Sequence, residues 1–410
     1  MPEEIEITEA VETRVSLTDS QVTAINEHSR FLASSRSWWG AIGEEELERH
    51  VISVTPRGGG SYSLTVRNAV GVLAVDGLSI FVKPKIPLDH FVYIASHALF
   101  SDERSGSGDV DLMEGTSFQE LVAGWVVQGV RQIVRGGLSS DYELIRDSLP
   151  YVRGRIAMTK TALNFHKGTV AIESEFEDRT NNSPENRILR SALDLLNPRL
   201  LGSEKHRQEV QLLRTVFWSV ERASEADLKL PSRSFPPRYR RTVDMAISLL
   251  RNSGRSLTSG PSASKSFLVR TPGIMEDGLR EIIRRGLQPV RVAKGGKVLS
   301  PTTLRVNPDL LVTNVPFTAD VKYKKFGPMW NRNDLAQGVF FAESYRSPVA
   351  AVIGFTQGAA QLPSVPVGRI SVSALGWDIS GRSSPTEAAV QLVDAVLRWI
   401  PDPARDLVIG

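Results

Sequence analysis

Cysteine is absent from this chain of 410 residues. That excludes disulfides, thiolate zinc sites and cysteine-ligated iron–sulfur clusters. No apolar run reaches the roughly 18 residues that a membrane-spanning helix needs. The opening Met1-Pro2-Glu3-Glu4 is acidic with no apolar stretch behind it, unlike a secretory signal. A cytoplasmic protein without a membrane partner is expected. There is no G-x-x-x-x-G-K-[ST] loop: Gly295-Gly296-Lys297 is followed by Val298 and sits where a turn is expected. Nucleotide hydrolysis through such a loop is therefore not expected. The six histidines are scattered and form no H-E-x-x-H pair, and no G-x-S-x-G elbow occurs.

What is present is ordinary globular material. Hydrophobic residues make up 41% and charged residues 23%, which argues against wholesale disorder. At about 150 residues per domain the length suggests two or three domains. The net charge of +3 is unevenly spread: residues 1–110 carry −7, 111–255 carry +4 and 256–410 carry +6. An acidic first third is repelled by nucleic acid and a basic remainder is drawn to it, although scatter between solvated surfaces gives the same pattern.

The chain reads as a multidomain α/β (α+β) protein with boundaries near residues 110 and 255. The first dozen residues look like a frayed acidic arm. Helices are expected over 16–32, 44–50 and 90–100, and strands over 51–54, 61–66, 70–75 and 78–82. Asp76-Gly77 is a strong hairpin turn between the last two. This gives a β-rich domain over 1–110, closed by a Ser/Gly/Asp linker at 101–109. The 111–255 region mixes helices with strands. One helix opens at the Ser117-Phe118-Gln119-Glu120 capping box, and another at Ser183-Pro184. Alternating stretches at 151–158 and 169–175 read as strands. A basic stretch carries Arg233, Arg238, Arg240 and Arg241 and precedes a Ser/Gly-rich segment at 253–266. From 256 to 410 helices alternate with strands, as in a sheet flanked by helices.

The chemistry concentrates between residues 304 and 323. Two strands joined by Thr313-Asn314-Val315-Pro316 fold about the Asn314/Val315 midpoint and bring Asp309 opposite Asp320. Lys322, two residues on, shares the face of Asp320, while Leu310, Val312, Phe317, Ala319 and Val321 fill the other. Opposed carboxylates repel, and a hard divalent cation such as Mg²⁺, with Mn²⁺ as a substitute, resolves the repulsion. Such a cation would activate water and offset charge on a scissile phosphate, with Lys322 stabilising the transition state. A solvated strand face with an Asp–Lys pair fits the same spacing. Glu276 lies on the edge of the apolar stripe of the helix over 273–287, beside Ile283, and could reach the end of the sheet.

Pro308-Asp309 with Asp320-Val321-Lys322 resembles the PD-(D/E)xK nuclease pattern. The surroundings are more specific: Asp320-Val321-Lys322-Tyr323-Lys324, then Asp334-Leu335-Ala336-Gln337 and Tyr345, resemble the McrC family. Upstream, Val70-Gly71-Val72, Pro84-Lys85-Ile86, Arg153-Gly154-Arg155-Ile156 and Pro184-Glu185-Asn186-Arg187 resemble further signatures of that family in the same order. The resemblance spans roughly residues 60–360. It implies a C-terminal PD-(D/E)xK endonuclease domain with a central mixed sheet flanked by helices. Metal binding would fall to Asp309, Asp320 and Glu276, catalysis to Asp309, Asp320 and Lys322, and support to Gln337. Phe341 stands where the family pattern has a tyrosine four residues beyond the glutamine.

The resemblance also implies a McrB-like AAA+ GTPase hexamer as partner and modified double-stranded DNA as substrate, in an anti-phage restriction complex. The acidic 1–110 region would then meet the motor, and Arg233, Arg238, Arg240 and Arg241 would grip DNA phosphates. A stand-alone repair or recombination nuclease, and a non-cutting adaptor that activates the GTPase, are the alternatives.

Overall fold

The computed structural model describes residues 3–34, 51–99, 118–196, 204–254, 267–312, 317–358 and 362–400. The expected helix at 44–50, the 101–109 linker and Ser117 of the capping box lie outside these residues. The chain divides into two compact units, not three consecutive segments. One joins residues 1–121 to 255–410, and the other covers Val122–Gly254. The first and last segments of the chain share one unit. The reason is long-range strand pairing: Phe267–Arg270 pairs antiparallel with Ala69–Val75, with Val269 opposite Val70.

In the first unit, the acidic N-terminus is a strand and not an arm. Glu3–Thr8 runs parallel to Leu78–Lys83 at the edge of a four-stranded sheet. Its alternation puts Ile7 into a core with Leu73, Leu78, Ile80 and Val82, while Glu4 and Glu6 alternate to the other face. A three-stranded sheet of Thr13–Ser16, Ser61–Val66 and Ile52–Gly58 adds Leu64 and Val66 to that core.

The rest of this unit is built on a six-stranded mixed sheet in the order Val292–Ala293, Leu310–Val312, Phe317–Lys325, Val349–Thr356, Ile370–Asp378, Val365–Val367. Its three long strands are parallel and its edges antiparallel. The helix Arg332–Tyr345 packs on the face carrying Ala350, Val352 and Val372. The helix Pro385–Trp399 covers the opposite face, where Trp399 meets Phe317 edge-on. The helix Thr271–Gly286 lies against Leu88–Leu99 so closely that a Cβ on Gly278 would sit 2.2 Å from the Ile94 carbonyl oxygen. Buried Trp377 donates its indole N–H to Nδ1 of buried His90 at 2.9 Å. Burial holds the His90 imidazole pKa below its ordinary value, so it stays a neutral acceptor.

The second unit has a three-stranded sheet of Asp141–Leu149, Ile172–Thr180 and Arg155–Ile156, and its described residues are otherwise mainly helical. The basic stretch belongs largely to the helix Pro237–Gly254, which meets Phe118–Arg135 at Gly129, where a Cβ would lie 2.6 Å from Thr242. No helix among the described residues is long and apolar enough to cross a membrane.

Candidate active site

Strand register places the first pair of carboxylates. Leu310 pairs with Ala319, Leu311 with Thr318 and Val312 with Phe317. One further step of this ladder sets Asp309 opposite Asp320. Leu310, Val312, Phe317, Ala319 and Val321 are all buried, so the apolar face is the expected one. The connecting residues 313–316 lie outside the described residues. Asp309 is fixed over the strand because its Oδ2 accepts from the Val321 N–H at 2.9 Å. Arg280 also donates to the Asp309 carbonyl oxygen at 2.9 Å.

Lys322 is held at both sides. Its ammonium lies 2.8 Å from Asp320 Oδ2 and donates to Gln337 Oε1 at 2.7 Å. Asp320 is 3% exposed, deep enough for its ionisation to be expensive. Burial pushes its pKa up to about 7; Lys322 opposes the rise and Asp309 adds to it. Burial works against the Lys322 charge, yet Asp320 and Asp309 outweigh it and hold the lysine above its ordinary range. The helix that supplies Gln337 is anchored one turn earlier by Asp334, 2.5 Å from the Lys324 ammonium, and capped by Asn331 Oδ1 accepting from the Asn333 N–H. Lysines two apart on the strand thus meet acceptors three apart on the helix, which fixes the helix rotation over the site. Phe341 is buried on the same helix.

Glu276 reaches this cluster from the Thr271–Gly286 helix, whose Met275 and Leu279 are buried beside it. Its pKa is pushed up to about 7, first by burial and then by the Asp309 charge, with Asp320 adding and Lys294 opposing. Lys294 Nζ stands 3.6 Å from Glu276 Oε2 and 3.5 Å from Asp309 Oδ1. Sequence reasoning missed Lys294, because it follows the edge strand Val292–Ala293, which is not adjacent in sequence to either carboxylate. Gly295 was the available signal. Its N–H donates to the Pro308 carbonyl at 2.9 Å, and a Cβ there would lie 2.4 Å from the Pro308 ring.

Among the described residues, no three His, Asp or Glu side chains form a ready-made metal cage. The donor set itself fits a hard divalent cation. It brings together three carboxylates, and the Asp309 charge adds to the raised pKa values of both Glu276 and Asp320, while Lys294, Lys322 and Arg280 oppose the crowding.

Two of the sequence signatures meet behind the site. Lys85 of Pro84-Lys85-Ile86 lies 4.0 Å over the ring of Tyr323, which points away from Lys322 and Lys324 along the strand. Burial raises the Tyr323 pKa, and the neighbouring Glu9 carboxylate adds to it. Glu9, itself fully buried, accepts from the Thr271 hydroxyl at 2.5 Å, at the first turn of the helix that carries Glu276.

Val70-Gly71-Val72 lies on the Ala69–Val75 strand that pairs with Phe267–Arg270, and the other two signatures serve the second unit's own fold. Gly154 at φ +67° passes under Phe176, where a Cβ would lie 2.5 Å from the Glu175 carbonyl. Asn186 donates to the carbonyls of Ser139 and Asn181 and accepts from the Tyr239 hydroxyl. Arg187 forms a two-pronged pair with Asp227. Of the four arginines, Arg238 donates to the carbonyls of Gly136 and Gly137, and Arg240 to that of Phe235. Arg233 and Arg241 are exposed.

A helix-flanked mixed sheet with buried carboxylates and a lysine at one end defines a class of mixed α/β proteins with a charged site on the sheet. Comparison with known proteins narrows the class. The family model described as "McrBC 5-methylcytosine restriction system component" matches residues 64–346. The chain belongs to that family. It is 26% identical over 114 residues to the type IV methyl-directed restriction enzyme EcoKMcrBC of Escherichia coli (strain K12). That match covers 28% of this chain and about a third (33%) of the relative's length. In three dimensions it resembles a chain of the half-complex of Thermococcus gammatolerans McrB AAA+ hexamers with bound McrC. The TM-score is 0.60 at 14% identity, over 97% of this chain and 100% of that one. At that identity the likeness is one of fold.

Proposed function

We propose that this chain is the nuclease subunit of a McrBC-type restriction system, a PD-(D/E)xK endonuclease acting on double-stranded DNA that carries modified cytosine. The observation that carries the reading is the gathering of Glu276, Asp309, Asp320, Lys322 and Gln337 at one place on the sheet, with Lys322 gripped by Asp320 and Gln337.

Asp309, Asp320 and Glu276 would hold Mg²⁺, or Mn²⁺ in its place. A cation held there lowers the pKa of bound water and offsets charge on the scissile phosphate. Lys322 presents a fixed ammonium to the oxygen that gains charge as the phosphodiester is attacked. Because Gln337 already orients it, little reorganisation is needed in the transition state. Asp309 stays in place through the Val321 N–H, so the site keeps its shape as charge develops. The partner in this reading is a McrB-like AAA+ GTPase hexamer, as in the assembly from Thermococcus gammatolerans. The acidic 1–110 region suits a protein partner better than DNA. Arg233, Arg238, Arg240 and Arg241 are the arginines that would meet phosphates; Arg238 and Arg240 also donate to carbonyls of their own unit, and Arg233 is exposed.

Cleavage of methylated and unmethylated plasmid, with and without Mg²⁺, the partner GTPase and GTP, tests the proposal. Cutting of methylated plasmid that needs all three is expected. Cutting by the chain alone would favour a stand-alone nuclease. GTPase stimulation without any cutting would favour an adaptor.

A further inference from the structure

Lys322 and Lys294 differ in how they are held. Lys322 is held by an ion pair to Asp320 at 2.8 Å and a hydrogen bond to Gln337 at 2.7 Å. Lys294 touches Glu276 and Asp309 only at 3.6 and 3.5 Å, beyond hydrogen-bond length, and its side chain is 47% exposed. The backbone beneath it is set firmly, because Gly295 is pinned against Pro308. A secure backbone with a loosely engaged, half-hydrated ammonium can release its acceptors at little cost. Arg280, the other cation beside these groups, is committed to the Asp309 carbonyl and to Asp277. Lys294 therefore provides the positive charge between two carboxylates that come from different elements and repel each other.

We propose that Lys294 is a positioning residue: its ammonium holds Glu276 and Asp309 together in the metal-free chain and yields those carboxylates to the divalent cation. The inference rests on the nuclease reading. It gives the site two lysines with separate tasks, one fixed for the chemistry and one standing in for the metal. Lys294 and the cation compete for the same oxygens, so removing the ammonium strengthens metal binding.

The test is a titration of the full-length chain with Mn²⁺ alone, without DNA or partner, reading free Mn²⁺ by electron paramagnetic resonance. Lys294→Met and Lys294→Gln are expected to tighten the Asp320-dependent binding about three- to tenfold, the factor that loss of one or two part-exposed ion pairs implies. Lys294→Arg keeps the charge and is expected to stay near the parent value. Unchanged or weaker binding in both neutral variants, beside parent binding that Asp320→Asn abolishes, overturns this inference and leaves the nuclease reading intact. Absence of Asp320-dependent Mn²⁺ binding in the parent and in both neutral variants overturns both.

Discussion

At the residue scale the site is a balance of buried charge. Gln337 touches Lys322 and no more distant part of the cluster is needed to explain its place. Gln337→Ala is expected to lower the cleavage rate about 10- to 100-fold, the usual cost of losing an orienting partner. A purely structural role would instead show as a loss of melting temperature at unchanged rate. Glu276 gives a second prediction. Its pKa rises from about 4.5 in the unfolded chain to about 7 in the folded one, chiefly through burial. The folded chain keeps a proton there that the unfolded chain releases between these values, so stability is lost as pH rises across that window. Glu276→Gln removes the loss. Thermal melts of the metal-free variant should match the parent near pH 5 and exceed it at pH 8 by about 2–4 °C, a shift corresponding to roughly 1 kcal/mol. A variant less stable than the parent at pH 8 would contradict the account. The Asp309, Asp320 and Lys322 placements were legible in the sequence because a strand has a period of two and a hairpin is symmetric about its turn. Lys294 was not, because strand order in a sheet leaves no local trace.

At the element scale the same contrast holds. The hairpin over residues 69–83 declares itself through its turn and the helix at Pro184 through the proline in its first turn, although the Ser183 hydroxyl makes no capping bond there. The strand Glu3–Thr8 does not, since its glutamates suggest a solvated arm; parallel pairing with Leu78–Lys83 overrides that local preference. The helix Pro237–Gly254 was hidden by its arginines, which brace it against carbonyls. Gly278 lets two helices approach so closely that a Cβ there would meet the Ile94 carbonyl oxygen. Gly278→Ala must drive the helices apart, and a loss of about 1–3 kcal/mol in denaturant unfolding is expected from such overpacking. Because Thr271–Gly286 also carries Glu276, cleavage should fall with it. Parent-like stability would contradict a close approach of the two helices at Ile94.

At the scale of the whole molecule, the notable feature is that one compact unit is assembled from both ends of the chain. The sequence pattern suggested three consecutive domains because composition shifts mark crossings, not which segments return to one another. Phe267–Arg270 pairing with Ala69–Val75, Gly278 against Ile94 and Trp377 bonded to His90 each join residues more than 180 positions apart. A fragment of residues 256–410 expressed alone is therefore expected to show no cooperative melting transition by circular dichroism; a sharp transition would show that the C-terminal sheet folds without the N-terminal one.

In the proposed function the chain cuts DNA through Asp320 while it serves a GTPase partner. The most direct measurement follows linearisation of methylated plasmid and GTP hydrolysis in the same reaction, comparing the parent chain with Asp320→Asn. Cleavage is expected to fall by about a thousandfold, as loss of an electrostatic catalytic group implies, while GTPase stimulation is unchanged. Cleavage that survives in Asp320→Asn at the parent rate would contradict the proposed function.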